Sequence, residues 1–461
     1  MKIEHKRHRV RNSLKLSVLD AAAYAAMLGL IQNYVTPLAL ALKATTAQIG
    51  LLSSIPSITM AFSQLAAPDL SERAGSRKGL ILPVVFMHAV MFIPILLIPF
   101  IFHTFQVWWL IGFVTISAVL GSISNPAWGS MMADLVPVRL RGRYFGSRGR
   151  ISLIITLVFS LAAGGILQLF TGKGFAGFAI LFGGATLFRL LSFYFLSRMY
   201  EPVQPLGEKN GTGLLQMIKQ MGASNLGKFT FYIALIDLCT NISAPFFTVF
   251  MLRDLNFSYA TFTIVVSFSA ISSLIFQTFW GRRADLAGNI KVIRVTSVLL
   301  PIVPLLWLVS HNTFYLMAAN IVSGFAWSGY GLAAVNFVYE ASEAKNRTKH
   351  IALFNATDGV AVCIGALIGG YLVPHLPAIL GYQLRTLFTI SGILRGLVVV
   401  LMLRQILEVR RVPKLSLYQF LMGRSGTVPA EEGKTQPYSF HLPLTKSQEP
   451  EDSPHEDENG K

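Results

Sequence analysis

Five acidic or basic residues, besides a histidine, lie inside long apolar stretches of this sequence, where a charge is costly. Three are acids, Asp20, Asp237 and Asp358, and two are bases, Arg189 and Arg395. A charge in apolar surroundings costs at least a few kcal/mol, so each of these side chains needs a partner or a chemical role. A buried carboxyl group can hold a proton near neutral pH, because burial favours its neutral form. These residues are therefore candidates either for carrying protons or for fixed ion pairs.

The apolar stretches that hold these residues are long enough to cross a membrane. Apolar residues make up 53% of the 461 residues and charged residues only 13%, about half the ~25% of a soluble protein. A membrane-spanning α-helix needs about 20 residues, whereas a barrel strand needs about 10. We therefore predict an all-α membrane protein with twelve transmembrane helices. The predicted segments are 14–40, 47–67, 79–102, 107–133, 145–170, 176–197, 229–252, 259–280, 291–309, 314–339, 350–373 and 386–405.

The basic residues between the segments indicate an orientation. Thirty-three of the 39 Lys and Arg residues lie on one side of the predicted membrane, and only Lys43, Lys173, Arg253 and Arg385 lie on the other. Loops rich in Lys and Arg stay in the cytoplasm, so both termini are predicted to be cytoplasmic. The net charge of +17 therefore reflects membrane topology, and it does not indicate a nucleic acid partner.

Hydrophilic segments divide the chain into five parts. Apolar residues between Leu214 and Met221 predict a short helix on the membrane surface within the middle segment. The last segment is rich in Glu, Pro and Ser, and we predict that it is disordered. The parts are a cytoplasmic N-terminus 1–13, a six-helix bundle 14–200, a linker 201–228, a second six-helix bundle 229–408 and a cytoplasmic tail 409–461.

The two predicted bundles repeat each other at an offset of 206 residues. The sixth and twelfth segments share Phe, Arg and Arg at the same spacing. Two similar bundles that rock about a central site are typical of a secondary transporter. The coinciding pairs are Asp134 with Glu340, Arg141 with Arg347, Phe182 with Phe388, Arg189 with Arg395, and Arg198 with Arg404.

Short loops after three of the segments resemble those of a known family. The loops PDLSERAGSRK and GRRADLAGNIK follow the second and eighth segments, and DLVPVRLRGRYFG follows the fourth. Together with the twelve segments they make the chain similar to transporters of the major facilitator superfamily, specifically to uncharacterised bacterial members. The resemblance implies a pseudo-symmetric fold of two six-helix bundles in the bacterial cytoplasmic membrane.

The resemblance also implies a gate at the cytoplasmic ends of the helices. Opposite charges there can pair in one conformation and separate in another. The alternative is that these residues are solvated loop charges that only set the topology. The gate candidates are Glu72, Arg73, Asp134, Arg141, Asp285, Glu340 and Arg347.

The intramembrane charges predict two pairs, Asp20 with Arg189 and Asp237 with Arg395. In each half the acid lies on the first segment and the arginine on the sixth. Asp358 has no acidic counterpart in the first half, and this asymmetry favours a specific task in transport. A proton-coupling role stays open for all three acids. His88 stands alone in its segment, so we predict a hydrogen-bonded packing residue rather than a metal ligand.

Polar and aromatic residues on the expected cavity helices suit a small amphipathic ligand. Gly365 and Gly369, one helical turn apart, are expected to allow close contact between helices. The lining candidates are Tyr24, Asn33, Asn125, Trp128, Asn241, Trp327, Tyr330 and Asn336.

The favoured function is secondary active transport of a small solute by alternating access, by a monomer without a cofactor or metal. The sequence contains no GxxxxGK[ST] phosphate loop for ATP and no HExxH, GxSxG or DxD motif for catalysis. A polytopic membrane enzyme and a sensor that has lost transport remain the alternatives. Neither the substrate nor the direction of transport follows from the sequence.

Overall fold

The computed structural model describes residues 2–73, 75–137, 140–202, 224–342, 347–410, 412–413 and 416–422. Within these ranges the side chains of residues 2–7, 65–69, 71–73, 142, 347–349, 417 and 421–422 are not described. The predicted surface helix of the linker lies almost wholly outside the described residues. Most of the predicted disordered tail lies outside them as well.

Helices account for nearly all of the described chain. The first half contains α1 (Lys2–Ile31), α2 (Val35–Ala41), α3 (Thr46–Arg73), α4 (Arg77–Val90), α5 (Phe92–Ile101), α6 (Gln106–Leu135), α7 (Arg141–Leu169) and α8 (Ala176–Arg198). The second contains α9 (Asn225–Asn241), α10 (Ala244–Val249), a π-helical turn (Phe250–Asp254), α11 (Tyr259–Ala287), α12 (Asn289–Leu299), α13 (Ile302–Val309), α14 (Thr313–Ala341), α15 (Arg347–Leu372) and α16 (Gln383–Met402).

Each predicted segment corresponds to one helix or to two helices in line. Eleven such spans among the described residues are long and apolar enough to cross a membrane. The second segment is α3, and its 28 residues are about 42 Å long at 1.5 Å per residue. The all-helical, twelve-segment prediction is confirmed.

The four segments that break into two helices do so at equivalent prolines in the two halves. Pro37 and Pro245 follow the breaks between α1 and α2 and between α9 and α10. Pro94 and Pro301 lie at the breaks between α4 and α5 and between α12 and α13. Proline lacks a backbone N–H and its ring clashes with the preceding turn, so it interrupts the hydrogen-bond ladder. The repeat therefore extends to the places where the helices are broken.

Helix packing follows the same pattern in both halves. In the first half α1 packs on α7 and α8, and α6 packs on α3 and α4. In the second half α9 packs on α15 and α16, and α14 packs on α11 and α12. The halves meet through α3 against α15 and α7 against α11. These two contacts are equivalent under the repeat, so the halves form a pseudo-symmetric pair.

Apolar packing closes the molecule at one end. We call the end with most of the Lys and Arg residues the basic side, and the other end the opposite side. On the opposite side one cluster of buried residues joins the halves, with Tyr34 and Leu38 from the first half and Phe246 and Phe250 from the second. On the basic side each half has a cluster of its own. The described conformation is therefore closed on the opposite side.

The beginning of the tail differs from the prediction of disorder. Residues Leu417–Met422 form the helix α17, and Phe420 is fully buried against the second half. Its ring centroid lies 6.4 Å from that of Trp280, and Lys291 Nζ lies 5.5 Å from the Phe420 ring. An aromatic side chain that can bury its surface this way docks despite the polar composition around it.

We predict that Gly50 is essential for the close approach of α3 and α15. A Cβ atom at Gly50 would lie 2.6 Å from the Ala366 carbonyl oxygen and 3.0 Å from Gly370 Cα. Gly112, also helical, has nothing within 4 Å of the same position. Gly50→Val should therefore lower stability by about 1–3 kcal/mol more than Gly112→Val, measured by unfolding in detergent. Equal effects of the two substitutions would show that the contact does not limit stability.

Candidate functional site

Two acids from different helices meet in the second half of the protein. Asp237 on α9 and Asp358 on α15 bring their side-chain carboxyl groups close enough to interact with each other. The two helices approach closely because a Cβ atom at Gly365 or Gly369 would collide with the backbone carbonyls of α9. The expected role of these glycines in helix contact is confirmed, and it is this contact that brings the carboxyl groups together.

A hydrogen bond between these carboxyl groups would require a proton. An ionised carboxylate can only accept a hydrogen bond, so one of the two groups must be protonated and donate. Two carboxylates this close in a poorly hydrated site would repel each other, and sharing one proton removes the repulsion. Asp358 Oδ1 is buried and has no hydrogen-bond partner within the described chain. Such an arrangement is suited to holding one proton between the two groups.

Two further residues surround the carboxyl pair. Tyr330 on α14 is buried and close enough to interact electrostatically with both acids. Its hydroxyl has no hydrogen-bond partner in the described ranges. Arg395 on α16 is 1% exposed and also lies close enough to Asp237 for electrostatic attraction. The guanidinium therefore moderates the charge of the pair.

The predicted direct ion pair between Asp237 and Arg395 is wrong, because other acceptors occupy the guanidinium. Its nitrogens donate to the Leu300 carbonyl at 3.1 Å, to Ser243 Oγ at 2.9 Å and to the Thr240 carbonyl at 3.4 Å. Leu300 precedes Pro304 by four residues, and proline has no N–H for this carbonyl. The break between α12 and α13 thus leaves an oxygen that Arg395 satisfies.

The first half holds its acid in a different way. Asp20, 4% exposed, receives a hydrogen bond from Ser192 Oγ at 2.7 Å. It forms its ion pair with Arg148 on α7, whose Nη2 lies 3.3 Å from Asp20 Oδ2. Arg148 Nε also donates to the Ser17 carbonyl at 3.2 Å. Asp20 is therefore fixed by side chains from two other helices, α7 and α8.

The predicted direct pair of Asp20 with Arg189 is also wrong, since Ser192 stands between them. Arg189 Nη1 donates to Ser192 Oγ at 3.2 Å. Arg189 Nε donates to His88 Nδ1 at 3.1 Å, so His88 accepts with a neutral ring nitrogen. The guanidinium carbon lies 4.8 Å from the Tyr24 ring centroid. The prediction of His88 as a hydrogen-bonded packing residue is confirmed.

Polar contacts on the basic side of the first half link the start of α4 to two other helices. Arg77 Nη1 lies 2.6 Å from Asp134 Oδ2 at the end of α6. Glu201, just after α8, accepts from the backbone N–H groups of Arg77 at 2.7 Å and Lys78 at 3.3 Å. An anion at a helix N-terminus is favoured by the free N–H groups and the helix dipole.

The second half repeats these contacts with different side chains. Asn289 at the start of α12 donates to Glu340 at 2.9 Å. Glu408 accepts from the Ile290 N–H at 2.8 Å, and Arg410 lies 3.2 Å from Glu340. Asp134 and Glu340 thus occupy equivalent places, as the offset of the repeat predicts.

The other gate candidates are not joined in one cluster. The side chains of Glu72, Arg73 and Arg347 lie outside those described. Arg141 donates to the Ala133 carbonyl at 2.6 Å and so holds the turn between α6 and α7. Asp285 is exposed. Whether these residues form a gate stays a prediction.

Some lining candidates lie beside the two charge clusters, one around Asp20 in the first half and one around Asp237 in the second. The others make different contacts. Besides Tyr24 and Tyr330, Trp128 lies under the Arg148 guanidinium at 4.2 Å, and Trp327 packs on Tyr330. Asn33 donates to Ser160 Oγ at 3.2 Å, and Asn241 donates to the carbonyl of Asp237 in its own helix. Asn125 is exposed and Asn336 is half-buried. Their lining role stays a prediction.

Four residues that make these contacts were not predicted from the sequence as site residues: Arg77, Arg148, Glu201 and Glu408. The sequence groups Arg148 with the loop charges, although α7 carries it into the bundle. Glu201 and Glu408 are 207 residues apart, so the repeat itself contained a signal for them. No pattern in the sequence shows that Asp358 faces Asp237.

We predict that Asp20 and Arg148 act as a coupled pair. Arg148→Leu leaves a buried carboxylate without its cation, a loss that typically costs about 3–5 kcal/mol. Asp20→Asn combined with Arg148→Leu should be less destabilising than Arg148→Leu alone. Unfolding of the two single variants and the double variant measures the coupling. Additive effects would contradict the pair.

Comparison with known proteins agrees with this architecture. A profile of the Major Facilitator Superfamily matches residues 17–236 and 229–417. A curated relative, the quinolone resistance protein NorA of Staphylococcus aureus, is 24% identical over 142 residues. That match covers 31% of this chain and 36% of NorA, so the chain aligns with only about a third of the relative's length.

Solved structures share the fold over most of the chain. A mutant form of the nucleoside transporter NupG has a TM-score of 0.69 at 16% identity, covering 85% of this chain and 99% of NupG. A D-xylose-proton symporter has a TM-score of 0.65 at 11% identity, covering 87% of this chain and 98% of the symporter. With the superfamily profile matching both halves, the chain belongs to the Major Facilitator Superfamily of membrane transporters.

Proposed function

We propose that this protein is a proton-coupled secondary transporter in which the Asp237–Asp358 pair carries the coupled proton. The observation that carries the proposal is the close approach of the two carboxyl groups, between which a hydrogen bond would require a proton. Tyr330 and Arg395 then tune the pair, while Asp20 serves as a structural ion-pair partner of Arg148. We infer no enzymatic step for this chain.

Alternating access follows from two similar halves that meet along equivalent helices. The cluster shared on the opposite side must separate for the site to open there, and the basic side would then close. Of the four helices that form the two equivalent contacts between the halves, only α15 carries an intramembrane acid. Because Asp358 lies on this helix, we propose that rocking of the halves changes the hydration of the carboxyl pair.

The basic side is proposed to face the cytoplasm of a bacterial cell, with both termini inside. The distribution of Lys and Arg supports this orientation. With this orientation the described conformation is inward-facing. The protein is expected to act as a monomer, because each half completes the other's contacts within one chain.

We propose that the substrate is a small amphipathic solute. Tyr24, Trp128, Trp327 and Tyr330 place aromatic surface beside both charge clusters. The named relatives differ in substrate, since their names refer to quinolones, nucleosides and xylose. A transport screen should therefore begin with one compound of each of these three types.

The orientation predicts which engineered cysteines are accessible from outside the cell. Lys43 and Arg143 are both exposed and lie on different sides. A membrane-impermeant maleimide added to whole cells should label Lys43→Cys and leave Arg143→Cys unlabelled until the cells are lysed. The native Cys239 and Cys363 are buried, so the parent chain is the control. The reverse labelling pattern would overturn the topology.

The function predicts that Asp237→Asn and Asp358→Asn uncouple transport from the proton gradient. In proteoliposomes each variant should lose accumulation driven by a pH gradient at least tenfold, because neither retains a carboxyl pair. Substrate exchange without a gradient should persist. Asn312→Asp, which changes an exposed amide just before α14, is the control for altered charge. Normal gradient-driven accumulation in both Asn variants would refute the proposal.

A further inference from the structure

The opposite side of the protein contains a cleft between the two halves. A cavity of about 510 Å³ is enclosed by α2 and the end of α7 on one side and by the turn before α11 on the other. A second cavity of about 290 Å³ adjoins it, and both are lined by Ala41, Thr171 and Tyr259. The larger volume falls within the range of sites that hold small ligands.

The cleft gathers an unusual share of positive charge. Only four Lys and Arg residues lie on the opposite side, where membrane proteins generally have few basic residues. Lys43 from the first half and Arg253 from the second both line the larger cavity. Lys173 lies 5.0 Å from the ring centroid of Phe170, which lines the smaller one. Three of the four basic residues therefore surround one cleft.

The fourth basic residue on the opposite side, Arg385, is not a lining residue of the cleft and contacts a histidine. It is 3% exposed and contacts His311 Nε2. Partial burial and the nearby guanidinium lower the pKa of His311, so its neutral ring accepts this contact. Asp254 is the only acid in the opposite-side loops, all of which are described, and it pairs with Arg253 at 2.9 Å. One carboxylate cannot balance the three cations at the cleft.

The local backbone at the cleft is also unusual. Arg253 lies in a π-helical turn, a rare conformation that occurs frequently at functional sites. Lys43 and Asn256 both have positive φ angles, 61° and 52°, which side chains other than Gly seldom adopt. Both residues line the larger cavity. The strained positions therefore coincide with the cationic walls.

We propose that this cleft binds a small amphipathic organic anion, a carboxylate or phosphate with an apolar body. The anionic group would lie between Lys43 and Arg253, and the apolar body would contact Pro37, Leu40 and Phe257. A ligand that contacts both halves stabilises the conformation that brings them together. The anion thus holds the opposite side closed. This effect on conformation rests on the alternating access proposed above, whereas the binding itself does not.

Binding can be tested on the full chain in phosphatidylcholine nanodiscs by titration calorimetry. The probe is 2-naphthoate, and 2-naphthylmethylammonium has the same ring system with the opposite charge. The naphthoate should bind at least tenfold more tightly than the ammonium probe. Lys43→Gln with Arg253→Gln should weaken naphthoate binding at least tenfold. Lys228→Gln, which removes an exposed charge on the basic side, should leave it unchanged.

The source of the anion is distinguished by a second lipid composition. Weaker naphthoate binding to the parent chain in discs that contain phosphatidylglycerol would identify the anion as a lipid headgroup. Unchanged binding in these discs would identify a soluble anion. Equal binding of the two naphthalene probes, or undiminished naphthoate binding by the double Gln variant, would overturn the site.

The conformational effect is measured separately, by spin labels at the exposed positions Thr104 and Ala378, with Cys239 and Cys363 replaced by Ser. Naphthoate should shift the distance distribution between these labels toward its shorter component. Binding without any shift would refute the closing effect while leaving the site. Naphthoate should bind Asp358→Asn normally, so a failure of proton coupling is distinguishable from a failure of this cleft.

Discussion

A charge inside the hydrocarbon needs a hydrogen-bonded partner, and this constraint governs the interior of both halves. Arg189 and Arg395 occupy equivalent places, yet neither pairs directly with the acid on the first helix of its half. Each donates instead to neutral acceptors, His88 and Ser192 in one half and backbone carbonyls in the other. The arginines thus stabilise helix breaks and packing, which leaves the acids to find other partners.

Asp20 and Asp237 each need a partner inside the membrane, and they find it in different ways. We propose a structural role for Asp20 and a functional role for Asp237. Asp20 is held by Arg148 and Ser192, which favour its charged form through an ion pair and a hydrogen bond. Asp237 lacks such a direct cation and lies beside a second acid, and in the proposed function a shared proton neutralises this pair. An interaction between Asp237 and Asp358 that depends on a proton can be made and broken as the proton binds and leaves. The ion pair of Asp20 with Arg148 requires no proton. The second half is therefore the part of the molecule suited to coupling.

Much of the architecture was predictable because it depends on composition and repetition. Segment length predicted the helices, and the 206-residue offset matched Asp134 with Glu340, which have equivalent contacts. Pairing across helices was not predictable, because depth along a helix says nothing about rotation around it. Asp20 and Arg189 lie on the first and sixth segments of one half, but the ion pair of Asp20 is formed by Arg148 on α7. Asp358 faces Asp237 because Gly365 and Gly369, further along α15, allow this helix to pack closely on α9. The spacing of residues along the sequence does not specify such packing.

The central claim is that the carboxyl pair holds one proton, and infrared spectroscopy of the purified protein tests it most directly. A protonated carboxyl group has a carbonyl stretching band distinct from that of a carboxylate. We expect such a band at neutral pH, and deuterium exchange should shift it. The band should be retained in the Asp20→Asn variant and lost when Asp237 and Asp358 are both replaced by Asn. Absence of the band in the parent protein, or its persistence in the double variant, would contradict the account.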